Sequence, residues 1–214
     1  MEKPLTLSEK LYLLAIEPVK GGIMMSASST IRYVMGGAIL LELQKNGNIE
    51  IEGRKFRVKN QFPESAVHRL VLSKVHNPER WYRLSFFISR LSNSRKLTVE
   101  GIRKMLIDRG IIRLKERQFL YLFRWKVPEL VKKNVVYNIL AEIEVQTFNN
   151  PGDEETVNLL ALIIPANLLR RIFPDKLKRN QAREILKPIS KENLVAEAIE
   201  RAIRAARAAV AASV

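Results

Sequence analysis

From Leu7 onward the apolar positions recur with the period of a helix, and near Ile49 they switch to the alternation of a strand. Thr6 and Glu9 have capping-box spacing, and Leu7, Leu11, Leu14 and Ala15 follow on one face, so a short first helix is predicted. A turn at Gly21-Gly22 comes next. Ser26 to Ser29 supply N-cap residues for a strongly apolar second helix through Ile31, Val34, Ile39, Leu40 and Leu43, which Gly47 is placed to end in a left-handed cap. Gly36 and Gly37 lower the propensity of that helix, which points to close backbone packing against a neighbour. Ile49 to Val58 then alternates apolar and polar around Gly53, the pattern of a small hairpin.

The same unit returns. Ile102, Leu106, Gly110, Ile112, Leu114 and Phe119 each lie 63 positions after Ile39, Leu43, Gly47, Ile49, Ile51 and Phe56, so helix, capping glycine, strand, turn and strand are expected twice. Six matching positions also fit convergence on a common packing unit. Between the two units, Pro63 to Ser92 reads as helix in pieces broken near Asn77-Pro78, with Leu70, Val71, Leu84, Phe87, Ile88 and Leu91 as core candidates.

Beyond the second hairpin, Val135 to Val145 reads as a helix, and Asn149 to Gly152 as a loop. Asp153, Glu154 and Glu155 suit the positive end of a helix from Thr156 to Leu169, which Phe173-Pro174 closes. A basic helix around Lys178 to Lys187 leads through Pro188 to Ser190, the expected cap of a long Ala-rich helix reaching Ala212. In that last helix Leu194, Val195, Ala198, Ile199, Ala202 and Ile203 form an apolar stripe for docking on the core, and its end, Ala205 to Val214, is a further candidate for a membrane or a second subunit. The fold class is therefore mainly α: one compact helical domain over residues 1–214 around a central apolar helix, with two short β-hairpins, one of them projecting.

Charge changes this picture most. The 214 residues carry 37 Lys plus Arg against 22 Asp plus Glu, a formal net charge of +15, which attracts nucleic acid, anionic lipid or acidic proteins. The chain contains no cysteine, which excludes disulfide and thiolate chemistry and fits an intracellular setting. Its N-terminal residues do not read as a signal peptide, and its longest apolar run, Val157 to Leu169, is too short to span a bilayer, so membrane contact is expected to be peripheral. His68 and His76 have no partner at metal-ligand spacing, and no nucleophile elbow, phosphate-binding loop or dinucleotide fingerprint is present. No enzyme activity and no cofactor are expected.

Against this background the run Gln118 to Pro128 stands out, an aromatic and aliphatic stretch between cationic segments. Phe123 and Trp125, flanked by Arg124 and Lys126, are expected at the tip of the second hairpin, a combination suited to a lipid interface. Two other readings remain open. A winged helix binding nucleic acid would use Arg103, Lys104, Arg109 and Arg113, although Ile102, Met105, Leu106 and Ile107 make its helix core-like. An oligomeric scaffold would bury the 119–128 hairpin between subunits.

The order of segments resembles the Golgi phosphoprotein 3 family. The resemblance is carried by Leu5-Thr-Leu-Ser-Glu-Lys-Leu-Tyr-Leu-Leu14, by Gly37-Ala-Ile-Leu-Leu-Glu-Leu43 with Gly47-Asn-Ile-Glu-Ile51, by Leu106-Ile-Asp-Arg-Gly-Ile111, by the Phe119 to Pro128 hairpin and by Leu159-Leu-Ala-Leu-Ile163. It extends from about Leu5 to Val210 and is closest in kind to a short, prokaryotic-type member. It implies a mostly helical, non-enzymatic, cytoplasmic peripheral membrane protein that binds phosphatidylinositol 4-phosphate, at the Golgi only in a eukaryote, with membrane-protein cargo as a further partner. The hairpin residues implied in insertion are Phe119, Leu120, Leu122, Phe123 and Trp125. The family's four headgroup positions fall on Ala27, Gly36, Lys96 and Val99, of which only Lys96 keeps a charge. Arg32, Lys96, Arg103 and Lys104 are the cations expected to gather near the same place.

Overall fold

Thr6 opens α1 (Leu7–Ala15) through the expected capping box: its hydroxyl accepts from the Glu9 amide at 3.3 Å and its own amide donates to Glu9 Oε2 at 2.9 Å. The computed structural model describes residues 3–94, 96–119, 123–149 and 151–213. After α1 come α2 (Met25–Ser28), α3 (Ile31–Lys45), the strands β1 (Ile49–Glu52) and β2 (Lys55–Val58), α4 (Ala66–Leu72), β3 (Tyr82–Arg83) and α5 (Leu84–Ser92). A π-helical turn, Lys96–Glu100, runs into α6 (Gly101–Asp108), followed by β4 (Ile112–Phe119) and β5 (Phe123–Leu130). The chain ends in α7 (Lys133–Phe148), α8 (Glu154–Ile163), α9 (Leu169–Ile172), α10 (Lys176–Glu192) and α11 (Leu194–Ala211). The fold is mainly α with short antiparallel hairpins.

Helix α3 is buried along nearly its whole length and packs against α1, α5, α8 and α11. The two glycines make this possible. A Cβ on Gly36 would sit 3.4 Å from Leu91 of α5, and one on Gly37 only 2.4 Å from Ile199 of α11. The predicted start of this helix is corrected: Ser26 and Ser28 lie in the separate short helix α2, and α3 begins after Thr30. Thr30 is drawn inward, donating from Oγ1 to the carbonyls of Ala27 and Ala166.

Both predicted capping glycines close their helices identically. Gly47 (φ 70°) and Gly110 (φ 63°) adopt the left-handed conformation. In the first unit the Gly47 amide donates to Gln44 and the Asn48 amide to Leu43; in the second, Gly110 donates to Ile107 and Ile111 to Leu106. These are paired Schellman motifs, which satisfy the orphan carbonyls of α3 and α6 and aim the chain into a strand. The two hairpins then diverge. β1–β2 gains β3 as a third strand and anchors in the core through fully buried Phe56, which packs on Phe87 and Tyr82. β4–β5 remains two-stranded.

A buried polar network ties α1, α3, α4 and α6 together. Glu42 accepts from the Ser8 amide at 2.6 Å and meets His68 Nε2 at 2.7 Å, while buried Glu9 accepts from Arg109 at 2.8 Å. Arg109 also donates to the carbonyls of Lys3 and Pro4, holding the N-terminal segment against α6.

Four further expectations are corrected. Leu70 is 46% exposed and leaves the core, and Leu194 is also exposed, so the α11 stripe begins at Val195. The helix predicted to reach Leu169 ends at Ile163, where Pro165 and Asn167 (φ 57°) intervene before α9. Helix α10 runs through Pro188 to Glu192, so Ser190 is interior. The cap of α11 is Asn193, whose side chain accepts from the Val195 and Ala196 amides.

Candidate functional site

The second hairpin spans residues 112–130, longer than the predicted 119–128 segment, with each strand eight residues long. Its register runs from Ile112↔Leu130 at the base to Phe119↔Phe123 at the far end. Ile112, Pro128 and Leu130 are buried at the base. Residues 113 to 116, 118 and 124 to 126 are exposed.

Gly21 and Gly22 dock this base. The Gly22 amide donates to the Pro128 carbonyl at 2.7 Å, and a Cβ on Gly21 would stand 2.8 Å from that same oxygen. Both glycines have positive φ. Because the Pro128 carbonyl points out toward Gly22, its ring nitrogen also faces that edge, and the missing N–H removes no bond from the β4–β5 ladder. Arg117 reaches the Lys20 carbonyl from the other strand, so the 17–22 turn clasps the hairpin at two levels.

Paired residues share a face and alternate along the strands. Trp125 is opposite Arg117 and shares its face with Lys115, Val127 and Glu129; Glu116, Gln118, Arg124 and Lys126 occupy the other. Trp125 is 46% exposed. The expectation that it sits at the tip is corrected, since the register places it two pairs back from Phe119↔Phe123. Leu120 and Leu122 lie outside the described residues, as do the side chains of Phe119 and Phe123. At the base, Lys115 and Arg113 both bond Glu129, at 2.8 Å and 2.7 Å, and hold its carboxyl below the usual range; the hydrogen bond from Lys115 is the larger cause.

Sequence reasoning missed the neighbours of this hairpin. Val19 is 83% exposed and Met25 is 91% exposed, each within three residues of the Gly21-Gly22 turn that binds Pro128, and Lys20 between them is exposed. The signal was an apolar residue on either side of a turn, which reads as ordinary core sequence until the turn is known to dock on a strand.

The four predicted cations lie on α3, on the π-helical turn and on α6. Arg32 is exposed at the start of α3, Lys104 is exposed on α6, and Arg103 is half-buried there. The backbone of Lys96 opens the π-helical turn, which packs on both α3 and α6; its side chain lies outside the described residues. No described carboxylate pairs with Arg32, Arg103 or Lys104. Three of the four positions that register with the family's headgroup pocket are interior: Ala27 and Val99 are buried, and Gly36 lies against Leu91. For the winged-helix reading, Arg109 is bonded to Glu9 and Arg113 to Glu129, which withdraws two of its four phosphate contacts.

Among the described residues no helix is long and apolar enough to cross a membrane, and no group of three His, Cys, Asp or Glu is placed to hold a metal ion. A family model described as Golgi phosphoprotein 3 (GPP34) matches residues 7–206, nearly the whole chain. The comparison with curated proteins gives no match.

Proposed function

The chain belongs to the Golgi phosphoprotein 3 family, and on that footing we propose that it is a non-enzymatic peripheral membrane protein that binds anionic phospholipid, using the β4–β5 hairpin and the cations around it. The observation that carries the reading is Trp125, half-exposed on a two-stranded hairpin between exposed Arg124 and Lys126. An indole with flanking cations suits the depth at which headgroups meet acyl chains. The adjoining Val19 and Met25 extend the apolar surface, and Lys20 adds charge beside it.

The magnitudes are sufficient for reversible attachment. Each cation near an anionic surface contributes about 1 kcal/mol, so Lys20, Arg124 and Lys126 together give about 3 kcal/mol. Burying the open part of a Trp side chain, roughly 100 Å² at about 25 cal/mol per Å², adds about 3 kcal/mol. Uncharged, interior residues at three of the family's four headgroup positions favour broad recruitment by charge over selection of one phosphoinositide.

Flotation with liposomes of phosphatidylcholine and phosphatidylserine tests this. The wild-type protein rises with the vesicles, and Trp125→Ala weakens partitioning about a hundredfold, the loss of about 3 kcal/mol. Failure to float, or flotation that Trp125→Ala leaves unchanged, contradicts the hairpin as the point of contact.

A further inference from the structure

The basic helix that the sequence singled out has a use of its own. Arg179, Arg183, Lys187 and Lys191 recur every four residues along α10, on the stripe next to its buried face of Ala182, Leu186 and Ser190. Residues four apart on a helix are neighbours, about 6 Å between side-chain bases, and like charges so placed repel. Three such pairs follow one another here. None of the four forms an ion pair with a described carboxylate.

These cations line a cleft of about 560 Å³ whose other walls come from α9, the loop before it and α11. Arg170 of α9 adds a fifth cation. The one carboxylate in the lining is Glu200, and it is already paired with Arg204 at 3.3 Å. Arg179 is fixed in place, donating to the carbonyls of Phe173 and Pro174 at 3.1 Å and 2.8 Å.

The second observation is Ser190. Only 3% of it is exposed, it lines this cleft, and its hydroxyl has no hydrogen-bond partner. A buried hydroxyl left unpaired costs free energy that Ala at the same position would avoid. A donor held unpaired amid five cations with one neutralised acid is suited to receive the oxygens of a phosphate.

We infer that the cleft between α9, α10 and α11 is a binding site for a multiply phosphorylated anion, with Arg183, Lys187 and Lys191 meeting the phosphate oxygens and Ser190 donating to one of them. The site uses none of the hairpin residues and does not require a membrane. Its ligand is either a free phosphorylated metabolite or the headgroup of a phosphorylated lipid.

Isothermal titration with inositol 1,4,5-trisphosphate at low salt, together with flotation on vesicles containing phosphatidylinositol 4-phosphate, tests the site and its source. The wild-type protein binds the trisphosphate. Ser190→Ala weakens that binding about tenfold, as expected for one hydrogen bond to a charged group, while its melting temperature stays level or rises. Arg183→Glu with Lys187→Glu abolishes binding and also leaves the melting temperature undiminished, because the change relieves repulsion along α10. A lipid source is indicated if the trisphosphate releases the protein from the vesicles and the double variant no longer floats; a free metabolite is indicated if vesicle binding is indifferent to both. No binding of the trisphosphate, or equal binding by wild type and both variants, overturns the site. Loss in the double variant with Ser190→Ala unchanged overturns it too, since that is attraction by charge without a built pocket.

Discussion

Replacing Gly37 with Ala probes the contact between α3 and α11 that centres the fold. A Cβ at this position lies 2.4 Å from Ile199 Cδ1, 2.8 Å from Ile199 Cγ1 and 3.1 Å from Val195 Cγ1. Non-bonded carbons rest about 3.5–4.0 Å apart, so the closest contact is short by roughly an ångström. Turning Ile199 aside does not relieve it, because that side chain is fully buried and its inner Cγ1 clashes as well. Overpacking of this kind costs about 1–3 kcal/mol, and this contact, well inside van der Waals range, belongs at the upper end; Ala regains about 1 kcal/mol over Gly in helix propensity, leaving a net loss of up to about 2 kcal/mol. Gly36→Ala, one residue earlier, is the internal control. Its Cβ meets Leu91 at 3.4 Å, the margin of ordinary contact, so the propensity gain dominates and stability stays level or rises by up to about 1 kcal/mol. Urea unfolding at constant m-value reads both. Ile199→Val removes the offending Cδ1: it costs about 1 kcal/mol in the wild type and less in the Gly37→Ala background, a coupling that a double-mutant cycle resolves. Equal shifts for the two glycine variants, or the same cost of Ile199→Val in both backgrounds, refute the packing argument.

Two further outcomes follow from the charged contacts. Arg109→Ala leaves the buried Glu9 carboxylate without its cation and frees Lys3 and Pro4, so urea unfolding should show a loss of about 3 kcal/mol; a loss within the scatter of surface substitutions contradicts the account of that network. Glu129 is held below its ordinary value of 4.5, so its contribution to the hairpin base is present above that value and disappears as pH falls through the lowered folded value. Carbon-detected NMR titration should show the depressed midpoint and its rise toward the ordinary value in Lys115→Ala; an unshifted midpoint in the wild type contradicts the pairing.

What was legible in the sequence was what local rules determine. The capping box at Thr6 and the glycines at 47 and 110 declare themselves within five residues, because the hydrogen bonds they enable are that short. The 63-residue repeat was legible too, and its two Schellman motifs match bond for bond. Long-range contacts were not. His68 looked partnerless because Glu42 lies 26 residues away, and the Gly21-Gly22 turn gave no hint that its partner is the Pro128 carbonyl. Pro188 misled for a different reason. Proline disfavours a helix by its missing N–H, but Ala182, Leu186 and Ser190 bury one continuous stripe of α10, and that packing carries the helix through. The cations of α10 were legible as a basic helix, but the cleft they line was not, because its other walls come from α9, the loop before it and α11.

Trp125 and Trp81 are the two tryptophans, so a Trp81→Phe background turns Trp125 into a sole reporter of where the hairpin resides. Emission of that protein, titrated with phosphatidylserine vesicles carrying brominated acyl chains, is the most direct measurement of membrane contact. The account predicts a blue shift on vesicle addition and quenching strongest for bromines near the headgroup end of the chain, both lost at high salt. Emission that stays at its aqueous maximum and unquenched while the protein co-floats with the vesicles would contradict it, since the hairpin would then be facing away from the bilayer.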